Sequence, residues 1–214
     1  TARSGLHVTG GDVGIGTTNS TTKLQVGSVY NPQVIGFGTV QGYAYPSTNV
    51  LIGDQNTGSS LTPQVGGDWK GLNNNFIGAG AGKSTTTGTG NNFFGIYAGR
   101  NNTTGTYNNF FGLYAGRYNT EGSYNNFFGG YYSSANTTGS NNNFFGNAAG
   151  RYNTTGSYNN FIGRHSGYKN TTGNHNNVLG FDGGYNNTTG SQNNFIGQLA
   201  GYGNTSGNNN NMFG

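Results

Sequence analysis

From residue 73 onward, polar and apolar positions follow one fixed pattern: two Asn, two apolar residues, then Gly. That Gly falls at Gly78, Gly95, Gly112, Gly129, Gly146, Gly163, Gly180, Gly197 and Gly214, and every step is 17 residues. Two further glycines keep the same phase. One lies four residues on, from Gly82 and Gly99 to Gly201, with Ser133 the exception. The other lies ten residues on, from Gly88 to Gly207, and follows Asn-Thr-Thr or a close variant, as in Asn153-Thr154-Thr155.

Three glycines per repeat oppose a helix, where each costs about 1 kcal/mol. The stretches between them are short and rich in Phe, Ile, Tyr, Thr and Asn, a composition that predicts short strands joined by tight corners. Gly supplies positive φ at such corners, and Asn tolerates the left-handed region and bonds its own backbone. Each repeat is therefore read as one coil of a parallel β-solenoid. Coils stacked at about 4.8 Å place identical residues in ladders, and the steps from Gly78 to Gly214 would rise roughly 38 Å.

The paired apolar positions form two rows. One contains Phe93, Phe110, Phe127, Phe144 and Phe161; the next contains Phe94, Phe111, Phe128, Phe145 and Ile162. Adjacent strand residues point to opposite faces, so one row fills the coil and the other points out. A continuous outward stripe of Phe and Ile is a patch that lone soluble proteins avoid. Self-association around a shared axis is the expected remedy. The alternative is a wide single-chain coil in which a bulge or corner turns both rows inward.

Three regions are expected. Residues 1–29 form a small β connector or cap, with strands at Leu6-His7-Val8, Val13-Gly14-Ile15-Gly16 and Lys23-Leu24-Gln25-Val26. Residues 30–72 hold irregular first coils, since Pro32-Gln33-Val34-Ile35-Gly36 and Asn49-Val50-Leu51-Ile52-Gly53 share the apolar-apolar-Gly ending at the 17-residue spacing. An inserted loop near 60–72 accounts for the longer step from Gly53 to Gly78. Residues 73–214 are the regular solenoid. The sequence ends partway through a repeat, at Asn210-Asn211-Met212-Phe213-Gly214, an open end that could stack head-to-tail on the next molecule.

Chemistry is sparse. Only 7% of residues are charged, and there is no Cys. The pI of 9.3 comes from dispersed basic residues, of which Arg100, Arg117 and Arg151 share one repeat position. No basic cluster points to nucleic acid, and no apolar run is long enough to span a membrane. The acidic residues are scattered, and His165 and His175, ten residues apart in one repeat, could face each other across a coil but would lack a third ligand. We therefore expect no enzyme activity, no cofactor and no metal.

Three features could carry binding. Tyr107, Tyr124 and Tyr158 stand beside Asn, a pairing suited to glycan or protein recognition, or else form ladders that stabilise the roll. Thr pairs such as Thr154-Thr155 read as turn chemistry in preference to an ice-binding array. Asn-x-Ser/Thr sequons recur at Asn102, Asn136, Asn153, Asn170, Asn187 and Asn204, as candidate glycan acceptors or by-products of turn preference.

The block Val13-Gly14-Ile15-Gly16-Thr17-Thr18-Asn19, followed by Lys23-Leu24-Gln25-Val26, resembles a segment common in bacteriophage tail fibres and related bacterial surface proteins. The repeat, as in Asn109-Phe110-Phe111-Gly112-Leu113-Tyr114-Ala115-Gly116, resembles the Asn-rich repeats of such fibres. It is also similar in style to the head repeats of trimeric autotransporter adhesins, which form parallel β-rolls. The resemblance implies a trimeric extracellular fibre that attaches to cells or surfaces. The leading expectation is a structural, self-associating subunit; the alternative is an adhesin or phage fibre that binds cell-surface glycans.

Overall fold

The computed structural model describes residues 49–54, 56–61, 71–130 and 135–214 in full, together with the backbones of three earlier strands. Those strands are β1 (Leu6–Thr9), β2 (Asp12–Ile15) and β3 (Val34–Gly38). Next come β4 (Asn49–Gly53) and nine strands of three residues each, from β5 (Asn75–Ile77) to β13 (Asn211–Phe213), at 17-residue spacing. The described residues are all-β, and β4 to β13 form one parallel sheet with in-register pairing. Asn109 lies against Asn126, Phe110 against Phe127 and Phe111 against Phe128. This is a parallel β-solenoid in which one repeat makes one coil.

Side chains alternate across each strand with the period of two that a pleat imposes. In a representative coil Asn108 points in, Asn109 out, Phe110 in and Phe111 out, and only the inward pair is fully buried. The interior therefore holds one ring per coil. Phe76, Phe93, Phe110, Phe127, Phe144 and Phe161 are at most 1% exposed and stack with centroids 4.7–5.0 Å apart. Ala81, Ala98, Ala115 and Ala149 line the opposite wall. Each buried ring contributes roughly 1.5–3 kcal/mol, so apolar stabilisation is spread evenly along the axis.

Two glycines per coil are fixed by this packing. Gly95, Gly112, Gly146, Gly163, Gly180 and Gly197 have φ between +124° and +150°, and there, as at Gly129, a Cβ would fall on the carbonyl of the next coil's Gly. Gly82, Gly99, Gly116, Gly150 and Gly167 sit at φ of +56° to +59°, where a Cβ would strike the buried Phe ring of the same coil.

The first coil differs. Leu51 pairs with Phe76 and Ile52 with Ile77, so β4 enters the ladder in phase with the apolar pattern. The Asp54 Oδ1 accepts hydrogen bonds from the backbone N–H of Gly80 and of Asn56 and from the Thr57 hydroxyl. Burial raises the Asp54 pKa, but these donors outweigh it and hold the carboxyl below its usual value.

Val34-Ile35-Gly36, expected to stack as part of an earlier coil, does not: β3 pairs antiparallel with β4, Val34 opposite Gly53 and Gly38 opposite Asn49. The physical reason lies in the corners. Where the regular repeat places Gly four and ten residues after its first Gly, the segment after Gly36 has Val40 and Pro46. At the N-terminus β1 and β2 pair antiparallel, Leu6 opposite Ile15 and Thr9 opposite Asp12. The third strand expected there, at residues 23–26, and the core of the expected inserted loop, 62–70, lie outside the described residues.

Two glycine substitutions separate packing from composition. Gly112→Ala is expected to lower stability by more than about 2 kcal/mol, because its φ of +130° and the Gly129 carbonyl both oppose a side chain. Gly130→Ala, whose added Cβ would meet no atom of the described residues nearer than the Leu113 nitrogen at 4.0 Å, is expected to stay within about 0.5 kcal/mol of the parent in urea unfolding.

Candidate functional site

Three kinds of ladder run along the solenoid: internal amides, an outward apolar stripe and the two corner columns. The amide ladders were missed by sequence reasoning. In the first, the Asn108 backbone N–H donates to Asn91 Oδ1 at 2.9 Å, and its side-chain Nδ2 donates to the Gly122 carbonyl at 2.8 Å. Its own Oδ1 then accepts the Asn125 N–H at 2.9 Å. Each carboxamide thus replaces backbone bonds between a strand and a corner of the next coil. The signal that could have found this ladder is phase: the first Asn of each pair lies two residues before the buried ring and so shares its face.

The second internal ladder holds the sequon asparagines. Asn153 Nδ2 donates to Asn136 Oδ1 at 2.8 Å and to the Gly156 carbonyl at 2.9 Å. Asn102, Asn136, Asn153 and Asn170 are 0% exposed, Asn187 is 2% exposed, and Asn204 is half-buried with the same two partners. The glycan-acceptor reading of these six residues is corrected: the nitrogen a glycan would occupy is inside the folded coil. Asn119 makes the point independently. Glu121 destroys its sequon, yet its Nδ2 still donates to Asn102 Oδ1 and the Gly122 carbonyl, both at 2.8 Å. The repeat maintains an amide ladder, and the sequons follow from the Asn-Thr-Thr corner.

The Thr pairs divide similarly. The first Thr of each pair donates its hydroxyl to the carbonyl one coil on, as Thr154 does to Thr171 at 3.0 Å.

The second apolar row lies on the outer face. Phe94, Phe111, Phe128 and Phe145 stack with centroids 4.6–4.8 Å apart. Exposure rises along it, from half-buried Phe94 and Phe111 to 38% at Phe145, 42% at Ile162 and 46% at Leu179. Beside it runs an outer Asn ladder, in which Asn109 Nδ2 donates to Asn126 Oδ1 at 2.7 Å. Ile96 and Phe181 widen the apolar strip at the adjoining turn. The expected ladder residues thus divide cleanly: Phe93, Phe110, Phe127, Phe144 and Phe161 inside, Phe94, Phe111, Phe128, Phe145 and Ile162 outside.

Corner residues carry the remaining chemistry. Among the described residues fourteen non-Gly residues have positive φ, and all belong to two columns. One contains Tyr107, Tyr124, Asn141, Tyr158 and His175. Tyr107, Tyr124 and Tyr158 are more than half exposed; Tyr107 stacks on Tyr124 at 5.2 Å, and Tyr158 stacks on His175 at 4.8 Å. Asn141 divides them into two pairs. The other column contains Tyr97, Tyr114, Ala148, His165, Asp182 and Leu199.

His165 and His175 therefore occupy different columns. His165 Nδ1 lies 2.9 Å from Asp182 Oδ1 one coil on and meets Tyr168 edge-on. Tyr168, Tyr185 and Tyr202 stack in turn. Burial first, then Tyr168, Tyr202 and Asp182, raise the Tyr185 pKa. Among the described residues no cluster of three or more His, Cys, Asp or Glu side chains is placed to hold a metal, and no helix is long and apolar enough to cross a membrane.

No family model matches the chain, and neither the curated proteins nor the solved structures contain a match to it.

Two substitutions test the ladders. Asn153→Ala removes three buried amide hydrogen bonds, to the Gly156 carbonyl, to Asn136 Oδ1 and from Asn170 Nδ2, while Gly156 keeps Asn142 Nδ2 and Asn170 keeps the Gly173 carbonyl; at roughly 0.5–1.5 kcal/mol per bond it should lower stability by about 1.5 kcal/mol or more in urea unfolding. At Tyr158, where φ is +61°, Val should be worse than Asn by about 1 kcal/mol or more, because a branched Cβ tolerates the left-handed region poorly and Asn tolerates it well.

Proposed function

We propose that this chain is a structural module of an extracellular fibre, a rigid rod that associates with copies of itself through its outer apolar stripe. The observation that carries the reading is the stripe itself. Phe128, Phe145, Ile162 and Leu179 stand on consecutive coils, each more than a third exposed, on a single-layered coil whose interior is already filled by the other row. A second copy is the occupant that fits, because it offers the same residues at the same pitch. Closed rotational symmetry would bury the stripes together around one axis. A trimer is the form that the resemblance to fibre and adhesin repeats favours. In this role the chain has no catalytic chemistry to perform; its polar side chains are spent on its own ladders.

A second reading, recognition of cell-surface glycans, is favoured by the exposed stacked pair Tyr107 and Tyr124 and by Tyr158 on His175. Tyrosine rings offer flat contact area at low entropic cost. It is compatible with the first, since the corner columns and the outer stripe use different residues.

The test is the native mass of the full chain by sedimentation and mass spectrometry. A discrete oligomer is expected, trimeric in the favoured form. Phe128→Ser/Phe145→Ser should shift it to monomer with its circular dichroism retained. A parent chain that sediments as a monomer across a wide concentration range would overturn the reading.

A further inference from the structure

Lys83, Arg100 and Arg117 occupy one repeat position, directly after the corner glycines Gly82, Gly99 and Gly116. Their coils are consecutive and hydrogen-bonded at this point: Ser84 N–H donates to the Arg100 carbonyl and Asn101 N–H to the Arg117 carbonyl. The three cationic residues therefore leave the backbone one above another, at the coil step of about 4.8 Å.

Like charges at that spacing repel, yet among the described residues no carboxylate lies within ion-pair distance of any of the three. What holds the two guanidiniums is aromatic. Arg100 Cζ lies 4.9 Å from the Tyr97 ring centroid, and Arg117 Cζ lies 5.1 Å from Tyr114 and 5.3 Å from Tyr118. All three cations are half-buried, and the Arg117 Nε is enclosed with no hydrogen-bond partner. The rings orient the charges without neutralising them. Elsewhere the corner resolves differently: at the equivalent position Tyr168, Tyr185 and Tyr202 replace the cations, and Arg151 bonds the Tyr168 hydroxyl at 2.7 Å.

We propose that the Lys83–Arg100–Arg117 column is a binding site for a linear acidic polysaccharide lying along the solenoid axis. A single small anion answers one cation of the column. A chain bearing a carboxylate on each sugar ring repeats its charge at a step comparable to the coil pitch and answers all three. A single-stranded nucleic acid fits less well, because it needs free ring faces for its bases. Here the Tyr97 ring has Arg100 on it, has Arg117 at 5.9 Å, and stacks on Tyr114.

The test measures binding of the full chain to polygalacturonate, with neutral dextran and oligothymidylate as comparators. Polygalacturonate should bind and dextran should not. The log of affinity should fall with log salt at a slope between about −2 and −3, as expected for three neutralised cations. Arg100→Gln/Arg117→Gln should lose at least tenfold in affinity, Lys83→Gln alone severalfold, and Arg100→Lys/Arg117→Lys should stay within about threefold of the parent. Arg164→Gln, outside the column, should change nothing. If the double Gln variant fails to fold, the Lys83→Gln and double Lys variants still decide the matter. Dextran-like binding by the parent, undiminished affinity in Lys83→Gln, or tighter binding of oligothymidylate would each overturn the proposal. None of these readouts depends on the oligomeric state, so the fibre reading and this one fail separately.

Discussion

In-register parallel stacking is the constraint on which this molecule depends. Every side chain of a coil meets its own counterpart one step of about 4.8 Å away on either side. A residue type can therefore fill a column only if it interacts favourably with itself. Asn does so through amide-to-amide hydrogen bonds, Phe and Tyr by stacking, and Gly by letting backbone meet backbone. Like charges do so only against mutual repulsion, and only 7% of the chain is charged, with Lys83, Arg100 and Arg117 a rare run of them. The composition is thus a consequence of the geometry. Where titratable groups do enter a column, their neighbours respond to them: His165 faces Asp182, and Arg151 lies over Tyr152 and Tyr168.

The same constraint explains how so thin a core holds together. One Phe ring and one Ala per coil leave room for little else, so the remaining interior is polar. Buried amides are tolerable only when every donor and acceptor is matched. The two internal Asn ladders meet that condition by passing each hydrogen bond along the axis. Stability is then nearly a sum of one coil plus one coil-to-coil interface, repeated, as in other solenoids. It also follows that the corners are not free to relax. Tyr158, His175 and Leu199 keep left-handed backbones that cost roughly 1–2 kcal/mol each, because the coils above and below hold the corner in that shape.

Period, strand class, ladder formation and the division of Phe110 from Phe111 were legible in the sequence, because each depends only on spacing and on the alternation of a strand. The amides were not. Asn153-Thr154-Thr155 reads equally as a surface turn and as a sequon, and only the partner one coil away shows that its amide faces inward. The Tyr corners were hidden for a related reason: positive φ is a glycine preference, and Tyr97 and Tyr107 adopt it where the coil before them has Gly80 and Gly90. The reversal at β3 was hidden because Ile35 and Ile52 share both spacing and chemistry with true coils; the absent corner glycines, at Val40 and Pro46, were the sign.

Ladder physics also bears on what can meet the outer stripe. A partner of arbitrary shape would match one or two rings and leave the rest wet. A second solenoid of the same chain carries rings at the same step and can lay its row edge-on against its neighbour's, so the match gained at one coil is gained at all of them. The ring row is also even, since Phe94, Phe111, Phe128 and Phe145 stack within 5° of parallel. The outer Asn ladder beside it is already satisfied within its own chain, so little hydrogen bonding must be broken to bring two such faces together. The repetition that limits the residues of a single coil is what would make two of these rods complementary along their whole length.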